Sequence, residues 1–413
     1  MPSLSTQPAL EVRLRNLAGC AFVALAATVA PAAAQSPPSG VVYVEGNVAD
    51  APGNQVFGFK RDDAGALTPL NGSPFPAGGA GISPSFDLGP YDSDQEIISN
   101  PEHTLVFATN GGSDSIAVFR VQADGGLAPV EGSPFPSGGS NPVGLSLTGD
   151  KLVVVNQDND PGHPGVFLPS YTTLQVLPGG KLRPIRGASV TLDRGSNPSQ
   201  ALSPRRHPSL VFGCEFFGGV LRSFRMDDRG RLNQVDVQAL PPDEFAGSAA
   251  PPFPLGLWAH PKRPLLYVGF VTINRIGVYR YDAGGRLEFI RSVPDSGTGV
   301  CWFRTNRAGT RLYASNTTDP SISVYDLSRD PSAPIEIQKV SLRGMSNVYQ
   351  ITLDPAGEFF YAVTQRNSAD LPASANALHV LKIGADGKLT EVATSPTILP
   401  VPASTRPQGV LAF

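Results

Sequence analysis

Hydrophobic and polar residues alternate along most of this 413-residue chain, in short runs separated by turns rich in Gly, Asn, Asp and Ser. The clearest example is residues 311–327, RLYASNTTDPSISVYDL, in which two alternating stretches flank a polar turn. Alternation with a period of two predicts β-strands, and the turn between them predicts a hairpin. Similar hairpins begin at Val41, Leu105, Leu152, Leu210, Leu265 and Phe359.

The hairpins recur at a regular spacing, roughly 45 to 65 residues from one start to the next, which is typical of propeller blades. A further short apolar segment stands ahead of each hairpin and predicts the inner strand of each blade. These segments are residues 96–99, 143–147, 199–202, 255–259, 300–304, 349–353 and 408–413. The last one lies at the C-terminus, so we expect it to pair with the first hairpin and close the ring without a free edge. The sequence predicts an all-β fold, a seven-bladed β-propeller closed by its C-terminal strand.

The first 34 residues have the order of an export signal. Arg13 and Arg15 precede the apolar run 17–30, and small residues lead to Ala34. No later apolar run approaches the ~20 residues that a membrane-spanning helix needs. We therefore predict a signal peptide over residues 1–34, a single domain over residues 35–413, no membrane span, and a periplasmic or secreted protein.

The composition agrees with a turn-rich β protein, with 44 Gly and 41 Pro, 16% charged residues and a formal net charge of −3. Nucleic-acid binding would require a basic stripe, which the sequence lacks. Cys214 and Cys301 fall on blades that are not neighbours, so we predict two free thiols rather than a disulfide. The expected protein is a monomer that binds a small molecule and no nucleic acid.

Several motifs together resemble the seven-bladed lactonase propellers, a family that includes 6-phosphogluconolactonase and the carboxymuconate lactonizing enzyme. They are the blade spacing, the Asp-x-Gly-x-Leu turns at 63–67 and 228–232, the Ser-Pro-Phe-Pro connectors within 72–76 and 132–136, and the terminal closure. Single blades are also similar to YVTN repeats. The resemblance covers roughly residues 40–413. It implies a propeller fold and the opening or closing of a lactone ring.

The family's chemistry uses a His, two Arg and a Glu in the central channel. Glu215 matches the Glu position, which implies a role as general acid or base. Val143, Ser199 and Val271 stand where the family has its His and two Arg. Three of the four family positions are therefore replaced in this sequence.

The repeat also predicts which side chains surround the mouth of the channel, because the residue that ends the first strand of each hairpin is polar or acidic in five of the seven blades. The predicted catalytic residue is Glu215, and the predicted ligand-binding residues are Asn110, Gln157, Ser199, Gln200 and Asn316. A group of amides around one carboxylate suits a sugar- or carboxylate-type ligand. Alternatively, the Asn residues begin hairpin turns and Glu215 is a paired structural carboxylate.

An acidic insertion ahead of the second inner strand carries Asp92, Asp94 and Glu96, whose oxygens at this spacing would suit Ca²⁺. Solvated acidic loops of this kind are also common, and otherwise the sequence predicts no metal and no cofactor. Two functions remain: a lactonase-type enzyme, or a non-catalytic propeller that binds a ligand, a glycan or a protein. Positive charge in the channel would favour the first, and Arg304, Arg366 and Arg406 are the candidates to supply it.

Overall fold

The computed structural model describes residues 39–50, 53–82, 93–160 and 167–413. The predicted export signal and Asp92 lie outside the described residues. Within the described part of the chain, the strands form seven antiparallel sheets, and each sheet is one blade.

The strands are as follows. Blade 1 contains β1 (Val41–Glu45), β2 (Gln55–Arg61), β3 (Leu67–Pro69) and β4 (Phe75–Pro76). Blade 2 contains β5 (Ile97–Ser99), β6 (Leu105–Asn110), β7 (Ser115–Val121), β8 (Leu127–Pro129) and β9 (Phe135–Pro136). Blade 3 contains β10 (Pro142–Thr148), β11 (Lys151–Asn156), β12 (Ser170–Val176) and β13 (Leu182–Thr191). Blade 4 contains β14 (Pro198–Leu202), β15 (Leu210–Glu215), β16 (Val220–Met226) and β17 (Leu232–Ala239).

Blade 5 contains β18 (Pro254–Ala259), β19 (Leu265–Phe270), β20 (Arg275–Tyr281) and β21 (Leu287–Pro294). Blade 6 contains β22 (Val300–Thr305), β23 (Arg311–Asn316), β24 (Ser321–Asp326) and β25 (Ile335–Ser341). Blade 7 contains β26 (Asn347–Leu353), β27 (Phe359–Gln365), β28 (Ala377–Ile383), β29 (Leu389–Glu391) and β30 (Thr397–Ile398). The last strand, β31 (Gln408–Ala412), belongs to the sheet of blade 1. Short 3-10 helices cover Gly111–Ser113, Pro242–Phe245, Val271–Ile273 and Ala373–Ala375.

The innermost strands of the seven sheets form a ring around a central channel. In blade 3, for example, the strands follow the order β10-β11-β12-β13 from the channel outward. The inner strands β5, β10, β14, β18, β22, β26 and β31 each contact the next one around the ring. The predicted fold, the seven hairpins and the seven inner strands are confirmed.

The ring closes by pairing of the two ends of the described chain. In this pairing, β31 lies antiparallel to β1, with Val42 opposite Ala412 and Val44 opposite Val410. The backbone NH of Gly40 also donates to the carbonyl of Phe413 at 2.8 Å. The predicted closure is therefore confirmed, and it leaves β1 paired on both sides, with β2 and with β31.

The repeated Ser-Pro connectors complete the outer edge of three blades. The hydroxyl oxygens of Ser73 and Ser133 accept hydrogen bonds from the backbone NH groups of Gly58 and Val118, at 2.9 and 2.8 Å. A third connector, which the sequence analysis missed, places Ser395 at 3.1 Å from the NH of Val380. Each of these serines takes up a backbone donor at a point where the outer strand is interrupted.

The hydrophobic core lies between neighbouring blades. One cluster, for instance, packs Tyr267 and Val278 of blade 5 against Leu312 and Tyr325 of blade 6. Cys214 and Cys301 are both buried, and burial raises the pKa of the Cys214 thiol to about 12. Among the described residues, no helix has the length and apolar character needed to cross a bilayer.

Candidate functional site

The segment Ser93–Glu96, just ahead of β5, lies against the inner strand of blade 3. The NH of Leu145 donates to the carbonyl of Gln95, and the NH of Thr109 donates to that of Glu96, both at 3.0 Å. Gln95 has a φ of 70°, a left-handed conformation that is uncommon for a residue with a side chain. Opposite it, a Cβ on Gly144 would lie 3.1 Å from the carbonyl oxygen of Asp94. A glycine in β10 therefore allows this close approach.

Asp94 forms a bidentate ion pair with Arg304 of blade 6. Nη1 of Arg304 lies 2.6 Å from Oδ2 of Asp94, and Nη2 lies 2.8 Å from Oδ1. The guanidinium is also stacked over the ring of Trp258, at 4.4 Å from its centroid. The side chain of Asp94 is 1% exposed and that of Arg304 is 11% exposed. A planar fork on a carboxylate is one of the stronger polar contacts in proteins, and the aromatic ring further supports the cation.

Two inner-strand glutamines join this ion pair to the rest of the segment. Gln200 donates to the Gln95 side-chain oxygen at 2.9 Å and to Asp94 Oδ2 at 3.3 Å. Gln350 donates to the Ser93 carbonyl at 2.6 Å and to Glu96 Oε1 at 2.9 Å. We call Asp94, Glu96, Gln200, Arg304 and Gln350 the channel cluster. It joins blades 4, 6 and 7 to the segment that leads into blade 2.

Glu96 is the member of the channel cluster with the most perturbed acidity. Its side chain is fully buried, and burial together with the neighbouring charge of Asp94 holds its pKa well above the usual range for a glutamate. Its Oε2 atom and the side-chain oxygen of Gln350 are buried without a hydrogen-bond partner in the described structure. A carboxyl group that keeps its proton beside an ion-paired carboxylate is a known arrangement for acid–base chemistry.

Glu215, the predicted catalytic residue, lies within blade 4. It forms an ion pair with Nε of Arg222 on β16, and Nη1 of Arg222 donates to Gln234 on β17 at 2.8 Å. These contacts run outward along the sheet, away from the inner strand β14. The arrangement agrees with the alternative hypothesis for Glu215, in which it is a paired structural carboxylate.

Asn110 and Asn316 hold the ends of their hairpins. Asn110 donates to Ser115 Oγ at 3.3 Å, and Asn316 donates to Ser321 Oγ at 3.1 Å. Both asparagines are fully buried. A Cβ on Gly297 would come within 2.1 Å of the Asn316 amide, so the glycine before the inner strand leaves room for it. These contacts match the turn-forming alternative.

Gln157 and Ser199 lie at the boundary of blades 3 and 4. Gln157 donates to the carbonyl of Pro198 at 3.3 Å, and Ser199 Oγ is 3.1 Å from the Cys214 sulfur. Of the predicted ligand-binding residues, Gln200 is therefore the one that belongs to the channel cluster. Gln350 was missed, although it occupies the position in β26 that Gln200 occupies in β14, beside the shift in register of each strand. Comparing the inner strands with one another would have found it.

The three arginines proposed for the channel have different surroundings. Arg304 belongs to the channel cluster. Arg406 is buried over the ring of Tyr349, 5.0 Å from the centroid, and its Nε donates to Gln365 at 2.8 Å. Arg366 donates to the carbonyls of loop residues, including Ala369 at 2.7 Å. Of the three arginines, Arg304 is therefore the one that brings positive charge to the channel cluster.

Two of the acidic residues considered as Ca²⁺ ligands are engaged with other protein groups. Asp94 is paired with Arg304, and Glu96 accepts hydrogen bonds from Ser93 and Gln350. Across the described residues, no group of three or more His, Cys, Asp or Glu side chains is arranged to hold a metal ion.

Several solved structures share the seven-bladed propeller fold of this chain. The chain is similar to a candidate 6-phosphogluconolactonase from Bacteroides fragilis, with a TM-score of 0.67 and 15% identity over 92% of this chain and 99% of that one. It is also similar to the periplasmic gluconolactonase PpgL of Pseudomonas aeruginosa, with a TM-score of 0.62 and 14% identity over 89% and 99% of the two chains. A hypothetical selenium-binding protein from Sulfolobus tokodaii gives a TM-score of 0.62 and 11% identity over 92% and 94%.

At these identities the likeness establishes the fold, and the fold that the sequence resemblance implied is confirmed. No protein-family model matches the chain, and no curated protein matches it.

Proposed function

We propose that this protein is a lactonase-type hydrolase that opens or closes the ring of a small lactone at the centre of its propeller. The observation that carries the proposal is Glu96, a buried carboxyl group with a raised pKa beside the Asp94–Arg304 ion pair. A lactonase named as such, PpgL, shares the fold. The proposal transfers the proton-exchange role from Glu215 to Glu96.

The chemistry needs one group that exchanges a proton and one that binds the carbonyl or carboxylate. In hydrolysis, water adds to the lactone carbonyl carbon, the bond from this carbon to the ring oxygen breaks, and the ring oxygen takes a proton. A carboxyl group that keeps its proton to a higher pH than usual, as the raised pKa of Glu96 implies, can supply that proton. Arg304 binds the carboxylate of Asp94 in a bidentate manner, and the carboxylate of the hydroxy-acid product would have to displace Asp94 to reach the same guanidinium.

The second candidate function is ligand binding without catalysis. The contacts within the channel cluster favour this function. Asp94 is already bound to the guanidinium of Arg304, and the side chains of Gln200 and Gln350 donate hydrogen bonds to the segment Ser93–Glu96. In that case the ligand would displace Asp94 and no ring would open. Turnover separates the two functions.

The test compares two carboxylate-to-amide changes, Glu96→Gln in the channel cluster and Glu215→Gln in blade 4. Hydrolysis of sugar lactones and aryl lactones would be followed by acid release at constant pH. We expect Glu96→Gln to lower kcat by about 100-fold or more, because an amide cannot supply the proton. Glu215→Gln should change stability and leave kcat within about twofold, since its partner Arg222 lies within the blade.

Two results would contradict the proposal. One is wild-type protein that turns over none of these lactones while binding them, which would favour the non-catalytic function. The other is loss of turnover in Glu215→Gln with normal stability, which would return the chemistry to Glu215.

We also propose export, with cleavage near Ala34. N-terminal sequencing of the protein from its host tests this directly, because a chain that starts at Met1 would contradict it.

A further inference from the structure

The turns that follow the inner strands of blades 4, 5 and 6 form a basic surface at one end of the ring. They are residues 203–209, 260–264 and 306–310, and they contain no acidic residue. They carry five exposed cations, which we call the basic arc: Arg205, Arg206, Lys262, Arg263 and Arg307. Because the three turns are far apart in the sequence, no continuous run of basic residues indicates the arc.

Hydrogen bonds hold these three turns against one another. Arg206 Nη1 donates to the carbonyl of Lys262 at 3.5 Å, which joins blades 4 and 5. His260 Nδ1 accepts the backbone NH groups of Lys262 and Arg263, both at 3.0 Å, and Nε2 lies 3.0 Å from the carbonyl oxygen of Gly309 in blade 6. Burial lowers the pKa of His260, which favours the neutral ring that these contacts require. The cations of the basic arc are therefore presented by a fixed backbone.

The acidic residues at the same end of the ring lie mainly in the corresponding turns of other blades. Glu102 of blade 2, Asp150 of blade 3 and Glu358 of blade 7 are all exposed there. In blades 4 and 5, the turns between the third and fourth strands, residues 227–231 and 282–286, contain equal numbers of acidic and basic residues. The positive potential at this end is therefore concentrated along the basic arc.

The side chains of the basic arc suit oxyanions. Four of its five cations are arginines, whose planar forks bind carboxylates and sulfates with two parallel hydrogen bonds. Among the described residues, the large apolar side chains that are exposed all lie outside these three turns. His207, the aromatic ring of the first turn, is half-buried and packs on Tyr281, 5.8 Å between centroids. The arc therefore offers charge, without an apolar group to enter a bilayer or an exposed ring on which bases could stack.

The distribution of charge favours a linear polyanion over a flat anionic surface. A bilayer facing this end of the ring would also approach Glu102, Asp150 and Glu358, which it would repel. A chain can follow the arc across three blades and avoid them. A nucleic acid would be held through its phosphates alone, because stacking on aromatic side chains, which normally adds to the binding of single strands, has no exposed ring here.

We propose that the basic arc binds an acidic polysaccharide, a linear chain of sugars that carries carboxylates or sulfates. The inference goes beyond the proposed function, because the arc lies at the surface and shares no residue with the channel cluster. Its test therefore needs no lactone and no turnover.

The experiment measures binding of the full chain to polygalacturonate oligomers that carry a fluorescent end label, by anisotropy at low ionic strength. The arc variant changes Arg205, Arg206 and Arg263 to Gln. The matched control changes three exposed arginines of outermost strands to Gln, which gives the same net charge: Arg183, Arg186 and Arg291. A single change, Arg307→Glu, is a second variant in a different turn.

We expect the arc variant to bind about tenfold or more weakly than the wild type, because three of five cations are removed. Arg307→Glu should weaken binding by about threefold or more, and the control should stay within about twofold of wild type. Binding by the wild type should be lost at 1 M salt, since the Debye length falls there to about 3 Å. Neutral dextran should not displace the oligomer. The tighter competitor of unlabelled polygalacturonate and dextran sulfate identifies the preferred acid group.

Equal affinity in the wild type and in folded arc variants, or an equal loss in the control, would overturn the inference. Displacement by neutral dextran would do so too, because the site would then recognise sugars without their charge. Phosphatidylglycerol vesicles and single-stranded oligothymidylate are added as competitors at equal charge concentration. If either displaces the oligomer better than unlabelled polygalacturonate and dextran sulfate do, the arc binds a membrane or a nucleic acid instead, and the assignment to a polysaccharide is wrong.

Discussion

At the scale of single residues, the proposed chemistry depends on Glu96 holding a proton. A carboxyl group with a raised pKa in the folded state binds more protons than it does in the unfolded chain at the same pH. Burial is the main cause for Glu96, and the charge of Asp94 adds to it. Ionising Glu96 must therefore cost folding free energy.

This gives a signed prediction for stability against pH. The contribution of Glu96 is fully present below its unfolded pKa of about 4.3 and is lost as the pH rises toward its folded pKa. Glu96→Gln cannot ionise and should lack this loss. In denaturant titrations, its free energy of unfolding relative to wild type should become more favourable with rising pH above about 4.5. A constant difference across the range would contradict a buried, protonated Glu96.

The residues of the channel cluster can be read from the sequence, but which of them contact one another cannot be predicted from it. Asp94 and Arg304 are 210 positions apart, and their pairing follows from the ring closing around the segment Ser93–Glu96. Arg304 was one of three arginines that the sequence allowed into the channel. Glu215 was favoured because a family motif passes through it, whereas its contact with Arg222 depends on the register of β15 and β16.

At the scale of elements, the strands were predictable and the segment Ser93–Glu96 was not. The strands could be predicted because hydrophobic and polar residues alternate in every blade, although the residues themselves differ from blade to blade. The segment belongs to an insertion that appears in one blade, so no repeat describes it. Its conformation depends on Gly144 leaving space and on glutamines from two distant inner strands.

We expect the ion pair between Asp94 and Arg304 to hold the segment Ser93–Glu96 in place. Asp94→Asn leaves the guanidinium of Arg304 without its carboxylate and should cost about 3–5 kcal/mol in the free energy of unfolding. Arg304→Met leaves Asp94 buried and unpaired and should cost a similar amount. The double variant should cost less than the sum of the two, by a coupling energy of about 0.5–3 kcal/mol. Additive effects in this cycle would mean that the pair does not link the segment to blade 6.

At the scale of the whole molecule, the closed ring decides the stability. The pairing of β31 with β1 was predicted from the sequence because an open array of blades would leave a long unpaired edge. The interior contacts of β31 follow from that pairing. Val410 and Ala412 are buried between the first and last blades, and Phe413 is buried between the first and second blades.

Deleting residues 408–413 should therefore lower the melting temperature by roughly 10 °C or more, because it removes the inner strand of blade 1 together with its buried side chains. A Gly/Ser extension added after Phe413 is the control for changing the terminus, and it should leave the melting temperature nearly unchanged. Thermal melts followed by circular dichroism check both. A truncated chain that melts like wild type would contradict closure by β31.

A binding titration that is read by Trp258 fluorescence tests whether the ligand site lies at the centre of the channel around Arg304. Gluconate, a sugar acid, should give a saturable change in tryptophan fluorescence, because Arg304 is stacked on that ring. Arg304→Lys keeps the charge but loses the bidentate fork and should weaken binding by about tenfold. Arg222→Lys in blade 4 should bind as the wild type does. Equal affinity in Arg304→Lys and wild type, or a signal that persists in Trp258→Phe, would contradict a ligand site at Arg304.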